Sequence, residues 1–307
     1  MLRPRLRIPR AAVPVAVRPA ARRSMHHMPP LPHDFREGVP GLLSAEGFDM
    51  AWTQHMTLML DKLNAMTADT EYAQKDIKQI VLSTAREPKD APLFNHASMA
   101  HNNHFFFRNL SPKPVEMPAA LRRGVEDSFG SVETLRRELL VTASAMFGPG
   151  FVWLVKASVP GAAHDASFRV LPTYLAGSPY PGAHWRRQAV DMNTVGASAD
   201  VEGQGAVTDY LRRQVGAISG GGRAGGAGAA AQQQQMDDQM RLAPGGIHLV
   251  PILCLNTWEH VWLRDYGLGV GGYGGKRAFV EAWWDAIDWE AVAGLANISR
   301  KSLQYGS

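Results

Sequence analysis

Asn256-Thr257-Trp258-Glu259-His260, near the C-terminal end of the chain, is the stretch that decides how the rest is read. It follows directly on Leu249-Val250-Pro251-Ile252-Leu253-Cys254-Leu255, an apolar run that predicts a strand over His248 to Leu255. Two further strands are predicted upstream by β-branched and aromatic residues, Phe151 to Lys156 and Ser167 to Leu175. The second stretch of interest is His101-Asn102-Asn103-His104-Phe105-Phe106-Phe107. It lies in a segment, Ala91 to Leu110, that reads as one long helix and ends at the linker signal Ser111-Pro112-Lys113-Pro114.

Working outward, Phe48, Trp52, His55, Met59 and Leu63 fall at intervals of three or four and predict a helix over Phe48 to Met66. Glu71 to Ala85 continues with a second helical pattern. Met117 to Ala145 is helical again, with Ser131 as a helix N-cap and Thr134 in the first turn. Gly148-Pro149-Gly150 breaks the chain before the first strand. Phe279 to Ile298 reads as a terminal helix with an aromatic face. Met28 to Glu46 is proline-rich and expected to be extended.

Composition sets limits on these elements. The chain has 307 residues, 45% hydrophobic and 20% charged, as a soluble globular protein with an ample core requires. No apolar run approaches the roughly 20 residues that span a bilayer. The single cysteine, Cys254, excludes an internal disulfide and is expected to be a small buried hydrophobe. Residues 1–23 carry seven arginines and no acid, which reads as a mitochondrial presequence, with a basic RNA-binding tail as the alternative. Without those arginines, the 32 basic and 28 acidic residues become 25 and 28, and the net charge moves from +4 to −3. Contacts to RNA must then come from local patches: Arg122-Arg123, Arg136-Arg137, Arg186-Arg187 and Arg212-Arg213. Residues 182–246 form a glycine-, alanine- and glutamine-rich insertion, expected to be a flexible loop. Its glycines lack the strand, helix and Lys-Ser/Thr of a phosphate-binding loop.

Four segments, in order, resemble the iron/manganese superoxide dismutases: His55 in its helix, His101 to Phe107, Phe147 to Val155, and Asn256 to His260. The family motifs are His-x-Asn-His-x-x-Phe and Asp-x-Trp-Glu-His, and Ala282 to Trp289 is similar to the family's closing helix. The resemblance covers Ser44 to Ile298 apart from the insertion. It implies an α+β fold, a helical hairpin over 47–112 followed by an α/β domain over 113–307 with a three-stranded antiparallel sheet. An N-terminal arm over 24–46 precedes them.

In the family three histidines, one aspartate and a solvent molecule hold iron or manganese, hard cations suited to imidazole and carboxylate. Carried over position by position, His104 and His260 match two ligands, Asn256 replaces the aspartate, and Ala51 stands at the remaining histidine. A register that makes His55 a ligand instead breaks the match at Leu63-Asn64. Around these positions Met59 replaces a tyrosine, Ala176 a glutamine, and Phe151 and Arg108 each a tryptophan. The resemblance thus implies a pseudo-enzyme with no cofactor, its vestigial ligand positions being Ala51, His104, Asn256 and His260. A metal ion held on two histidines is the alternative.

Glu259 and His260 bridge subunits in dimers of the family, which implies a dimer-type interface here. Phe94 to His104 is two residues longer than the run common in manganese enzymes, and resembles superoxide dismutase-like proteins of the fungal mitochondrial small ribosomal subunit. That implies a structural role in the mitochondrial matrix, partners among ribosomal proteins and rRNA, and a heterodimer with a related chain. The competing expectations are a matrix dismutase with an altered ligand set and a metal-free binding protein.

Overall fold

A computed structural model describes residues 26–85, 87–158, 167–184 and 248–297 of the chain. The leader over 1–23, nearly all of the 182–246 insertion, and Arg186, Arg187, Arg212 and Arg213 lie outside the described residues.

The first helical stretch starts at Ser44, whose hydroxyl accepts from Gly47 N at 3.0 Å while Asp265 accepts from Ser44 Oγ at 2.7 Å. Helix α1 (Ala45–Phe48) runs into a π-helical segment, Asp49–Gln54, and then into α2 (His55–Thr67). The sequence spacing predicts one uniform helix here. The widened turn is the departure, with the amide of His55 reaching back to the carbonyl of Met50. Helix α3 (Ile77–Thr84) begins at a capping box in which Asp76 and Gln79 exchange side chain-to-backbone bonds. Helix α4 (Ala91–Arg108) packs against both α2 and α3. It ends two residues short of the expected boundary because Asn109 turns out to donate to the carbonyl of Ile252 at 2.8 Å.

Met117 to Ala145 resolves into α5 (Ala119–Phe129) and α6 (Val132–Ala145). Gly130, at φ +81°, makes the break, and Ser131 caps α6 through a bond from Thr134 N at 3.0 Å. Strands β1 (Gly150–Ser158), β2 (Ser167–Tyr174) and β3 (His248–Asn256) form an antiparallel sheet in the order β2-β1-β3. Gly150 is needed where β1 meets β2, since a Cβ there would lie 2.2 Å from the carbonyl of Thr173. A short helix, α7 (Pro181–His184), follows β2.

After β3 come α8 (Glu259–Tyr266), α9 (Gly275–Asp285) and α10 (Trp289–Leu295). The single terminal helix expected over Phe279 to Ile298 is therefore two. Asp288 interrupts it, its amide bonded to Asn109 O at 2.8 Å and its carboxylate capping Ala291 N at 3.0 Å. The segment over 26–44 packs on the core. Phe35, Val39, Leu42 and Leu43 are buried in the core, and Tyr266 donates to Leu42 O at 2.8 Å. His26 is buried, and its amide donates to Asn64 Oδ1 at 2.9 Å. Among the described residues no helix is long and apolar enough to cross a membrane.

Candidate functional site

The π-helical turn, the middle of α4 and the end of β3 meet at one point. Ala51, Asn103 and Asn256 are fully buried there. Asn103 Nδ2 donates to the carbonyl of Ala51 at 3.0 Å, and Asn256 Nδ2 donates to Asn103 Oδ1 at 3.0 Å. Asn256 Oδ1 in turn accepts from the amide of Trp258 at 2.9 Å. The chain of bonds begins at a backbone C=O, which only accepts, and ends at a backbone N–H, which only donates. Both middle members must therefore offer a donor on one side and an acceptor on the other, which an amide does and a carboxylate does not. An aspartate at 256 would set oxygen against oxygen at Asn103.

The histidines go elsewhere. His260, on the first turn of α8, stacks on His55 of α2 with ring centroids 4.0 Å apart and planes 14° off parallel. Among the described residues Nε2 of each ring is buried without a hydrogen-bond partner. Burial lowers His260 to a pKa of about 3, with His55 adding to the effect, and burial lowers His55 to about 4. Two uncharged imidazoles therefore face each other at neutral pH. His104 is only half-buried. Its ring lies 5.9 Å from that of Trp52, and its Nε2 is 3.3 Å from the carbonyl of Pro30. Burial lowers its pKa against the opposing pull of that carbonyl. His101 bonds through Nε2 to Tyr180 OH at 2.9 Å, and burial holds it at about 3.

The four positions inferred from sequence are thus divided. Ala51 and Asn256 share the amide network, His260 belongs to the stacked pair, and His104 bonds to the N-terminal segment. Asn103 is the member that sequence reasoning missed. Its signal is the asparagine of the His-x-Asn-His motif. His55 belongs to the stacked pair, and Asn64 bonds to both backbone groups of His26, at 2.9 and 3.0 Å.

The donor set does not fit iron or manganese. Ala51 has no donor side chain, and both ends of the Asn256 amide are engaged. Among the described residues no group of three or more His, Cys, Asp or Glu side chains is placed to hold a metal ion.

The surrounding positions are apolar or structural. Met59 packs against the core, and Phe151 and Ala176 are buried. Cys254 is a buried free thiol whose pKa burial raises. Trp262, Trp283 and Trp289 are buried, and Trp258 and Trp284 partly so. Glu259 is half-buried, whereas Arg122, Arg123 and Arg137 are exposed, and Arg136 approaches the Trp284 ring at 6.0 Å.

Strand β3, running into Trp258, Glu259 and α8, and the helices that follow it have a match among known families. The model for the C-terminal domain of iron/manganese superoxide dismutases matches residues 227–295. The chain carries a superoxide dismutase-like domain. Two fission yeast relatives resemble most of its length. The small ribosomal subunit protein mS43 of Schizosaccharomyces pombe is 29% identical over 260 residues, 82% of this chain and 78% of the relative. Protein mS42 of the same organism is 26% identical over 222 residues, 69% of this chain and 70% of the relative. The iron superoxide dismutase of Nostoc sp. is 29% identical over 127 residues, which is 41% of this chain and 64% of that enzyme. Likeness along most of the chain is found in both kinds of relative: the iron superoxide dismutase of Babesia bovis is 20% identical over 264 residues, 86% of this chain and 92% of that enzyme, while the two ribosomal proteins are 29% and 26% identical.

Proposed function

We propose that this chain is a structural, non-enzymatic component of the small subunit of the mitochondrial ribosome. The observation that carries the reading is the identity to mS43 sustained along most of the chain, 29% over 82% of this chain and 78% of the relative, against 20% for a dismutase matched over a similar length. The amide network supports it, because a position that binds metal through a carboxylate in the dismutases is here an internal structural tie. On this reading the metal positions Ala51, His104, Asn256 and His260 are vestigial, and no cofactor is bound. Residues 1–23 act as the import leader, and the helices over 47–112 form the hairpin of the dismutase-like fold, with the α/β domain over 113–307. A related superoxide dismutase-like chain pairs with this one across Glu259 and His260, and the arginine pairs at 122–123, 186–187 and 212–213 face neighbouring proteins or rRNA phosphates.

Sedimentation of a mitochondrial lysate through a sucrose gradient tests this. The chain should peak with small-subunit rRNA and remain there at moderate salt. Recovery at the top of the gradient as a dimer-sized species would overturn the reading. Stoichiometric iron or manganese in that fraction, with dismutase activity lost in His260→Ala, would then establish an altered enzyme, and its absence a metal-free binding protein.

A further inference from the structure

Arg108 stands where the dismutase resemblance places a tryptophan, and its guanidinium has no carboxylate partner among the described residues. It closes α4, is half-buried, and lies over the Phe105 ring at 4.3 Å. It forms no ion pair with any described residue. A partly desolvated cation without a counter-charge is costly to keep, and arginine retains its charge under such conditions.

A second cation lies in the same neighbourhood. Lys78, exposed on α3, places Nζ 4.6 Å from the centroid of the Tyr180 ring and also lacks an ion pair among the described residues. Tyr180 is held by its bond to His101 at 2.9 Å. The charges of both Arg108 and Lys78 reach His101, and that of Arg108 reaches the Tyr180 phenol. Asp76 is the carboxylate whose charge is felt here. Its Oδ2 accepts from the amide of Lys78 at 3.2 Å and caps α3 instead of pairing with either cation. The neighbouring imidazoles are neutral and offer no negative charge.

We propose that Lys78, over the Tyr180 ring, and Arg108, over the Phe105 ring, form a binding site for a phosphate group of an RNA backbone, the two rings both lying against His101. A planar fork with parallel N–H donors beside a mobile point charge suits the several oxygens of a phosphate. The assignment of RNA as the source rests on the ribosomal reading. The site itself rests on the uncompensated charge.

Purified full-length protein would be titrated with a short fluorescent RNA over a range of KCl concentrations. Arg108→Gln and Lys78→Gln should each weaken binding by about tenfold at low salt and reduce the salt slope by about one. Arg277→Gln, which removes a cation already bonded to Glu281 at 3.0 Å, should leave both unchanged. The urea midpoint of Arg108→Gln should not fall below that of the wild type, which separates lost binding from lost folding. Inorganic phosphate at matched ionic strength distinguishes the sources. Failure to compete with RNA assigns the site to the polymer, and competition that depends on Arg108 assigns it to free phosphate. An unchanged affinity and slope in both variants overturns the site, as does stronger competition by an acidic peptide than by RNA. If the slope is unchanged but the chain sediments with the small subunit, only this site fails. If Arg108-dependent phosphate binding persists in a chain found at the top of the gradient, only the ribosomal reading fails.

Discussion

The Ala51–Asn103–Asn256 network and the His55–His260 pair occupy the same part of the fold and solve burial in opposite ways. In the first, each polar group of the chain of bonds has a partner of the right sense, and neither asparagine carries charge. In the second, the Nε2 atoms of two half-buried imidazoles lack hydrogen-bond partners among the described residues, and burial keeps the rings neutral. One site is fixed by hydrogen-bond polarity and is indifferent to pH. The other is held by packing and is exposed to protonation. The stacked histidines are thus the weaker part of the design, and the amide network is the stronger.

The largest expected effect follows from protonation. His55 titrates at about 4 and His101 and His260 at about 3 in the fold, against an ordinary value of 6.5. Their folded pKa values are depressed, so the unfolded chain takes up protons first as the pH falls. Their contribution to stability is complete above pH 6.5 and is lost as the pH falls toward 3. Each differing proton is worth about 1.4 kcal/mol per pH unit, so three give at most about 4 kcal/mol per unit on the steep part. Urea unfolding between neutral pH and pH 4 would measure this slope. Replacing His55 and His260 together by Gln should reduce it by roughly two-thirds, on the same per-proton scale. An unchanged slope would mean that the pair is not buried as described.

The second effect tests the amide network. Asn103→Leu leaves the carbonyl of Ala51 and the Nδ2 of Asn256 without partners in a fully buried place. At about 1–3 kcal/mol for each unsatisfied group, the loss should be about 2–6 kcal/mol, seen as a lower urea midpoint with an unchanged m-value. Asn256→Asp, which restores the dismutase residue, should also destabilise at neutral pH because it places a carboxylate against Asn103 Oδ1. A stable Asn256→Asp protein that acquires iron or manganese would erase the contrast between the two regions.

Much of this contrast lies beyond what residue patterns carry. The three strands were legible because each is a run of β-branched and aromatic residues, and Ser131 was legible as a cap because capping is local. The histidine motif and Trp258-Glu259-His260 pointed to the dismutase-like domain. The break before Trp289 was not legible, since it depends on Asp288 bonding to Asn109, a contact between distant parts of the chain. The inward turn of Asn103 was hidden for a similar reason. Its partners are a backbone carbonyl on one element and a side chain on another, and only the fold brings them together. The burial of the 26–44 segment was masked by its prolines, which argue against regular structure but say nothing about packing.

A smaller effect is expected when the stacked pair is made apolar. His260→Phe keeps a flat ring against His55 and removes one buried nitrogen that lacks a partner. Stability at neutral pH should be unchanged or higher by up to about 1 kcal/mol, read from urea midpoints. A loss of several kcal/mol would show that His260 makes a bond that the packing account omits.

The smallest expected effect is none at all, and it bears on whether His55 and His260 hold a metal. A ring nitrogen binds through a lone pair in its own plane, with zinc about 2 Å away. Two rings stacked at a centroid separation of 4.0 Å and 14° off parallel lie in separate planes, so their lone pairs do not converge on one ion. Zinc binding would require the stack to open. A metal present at a hundred times its dissociation constant adds about 2.7 kcal/mol, which shifts a chain of this size by about 5–10 °C. EDTA should therefore leave the melting temperature where it was, within about 1 °C. A fall of several degrees that is reversed by zinc but absent in His260→Phe would place a metal at the pair and require its rings to rotate apart.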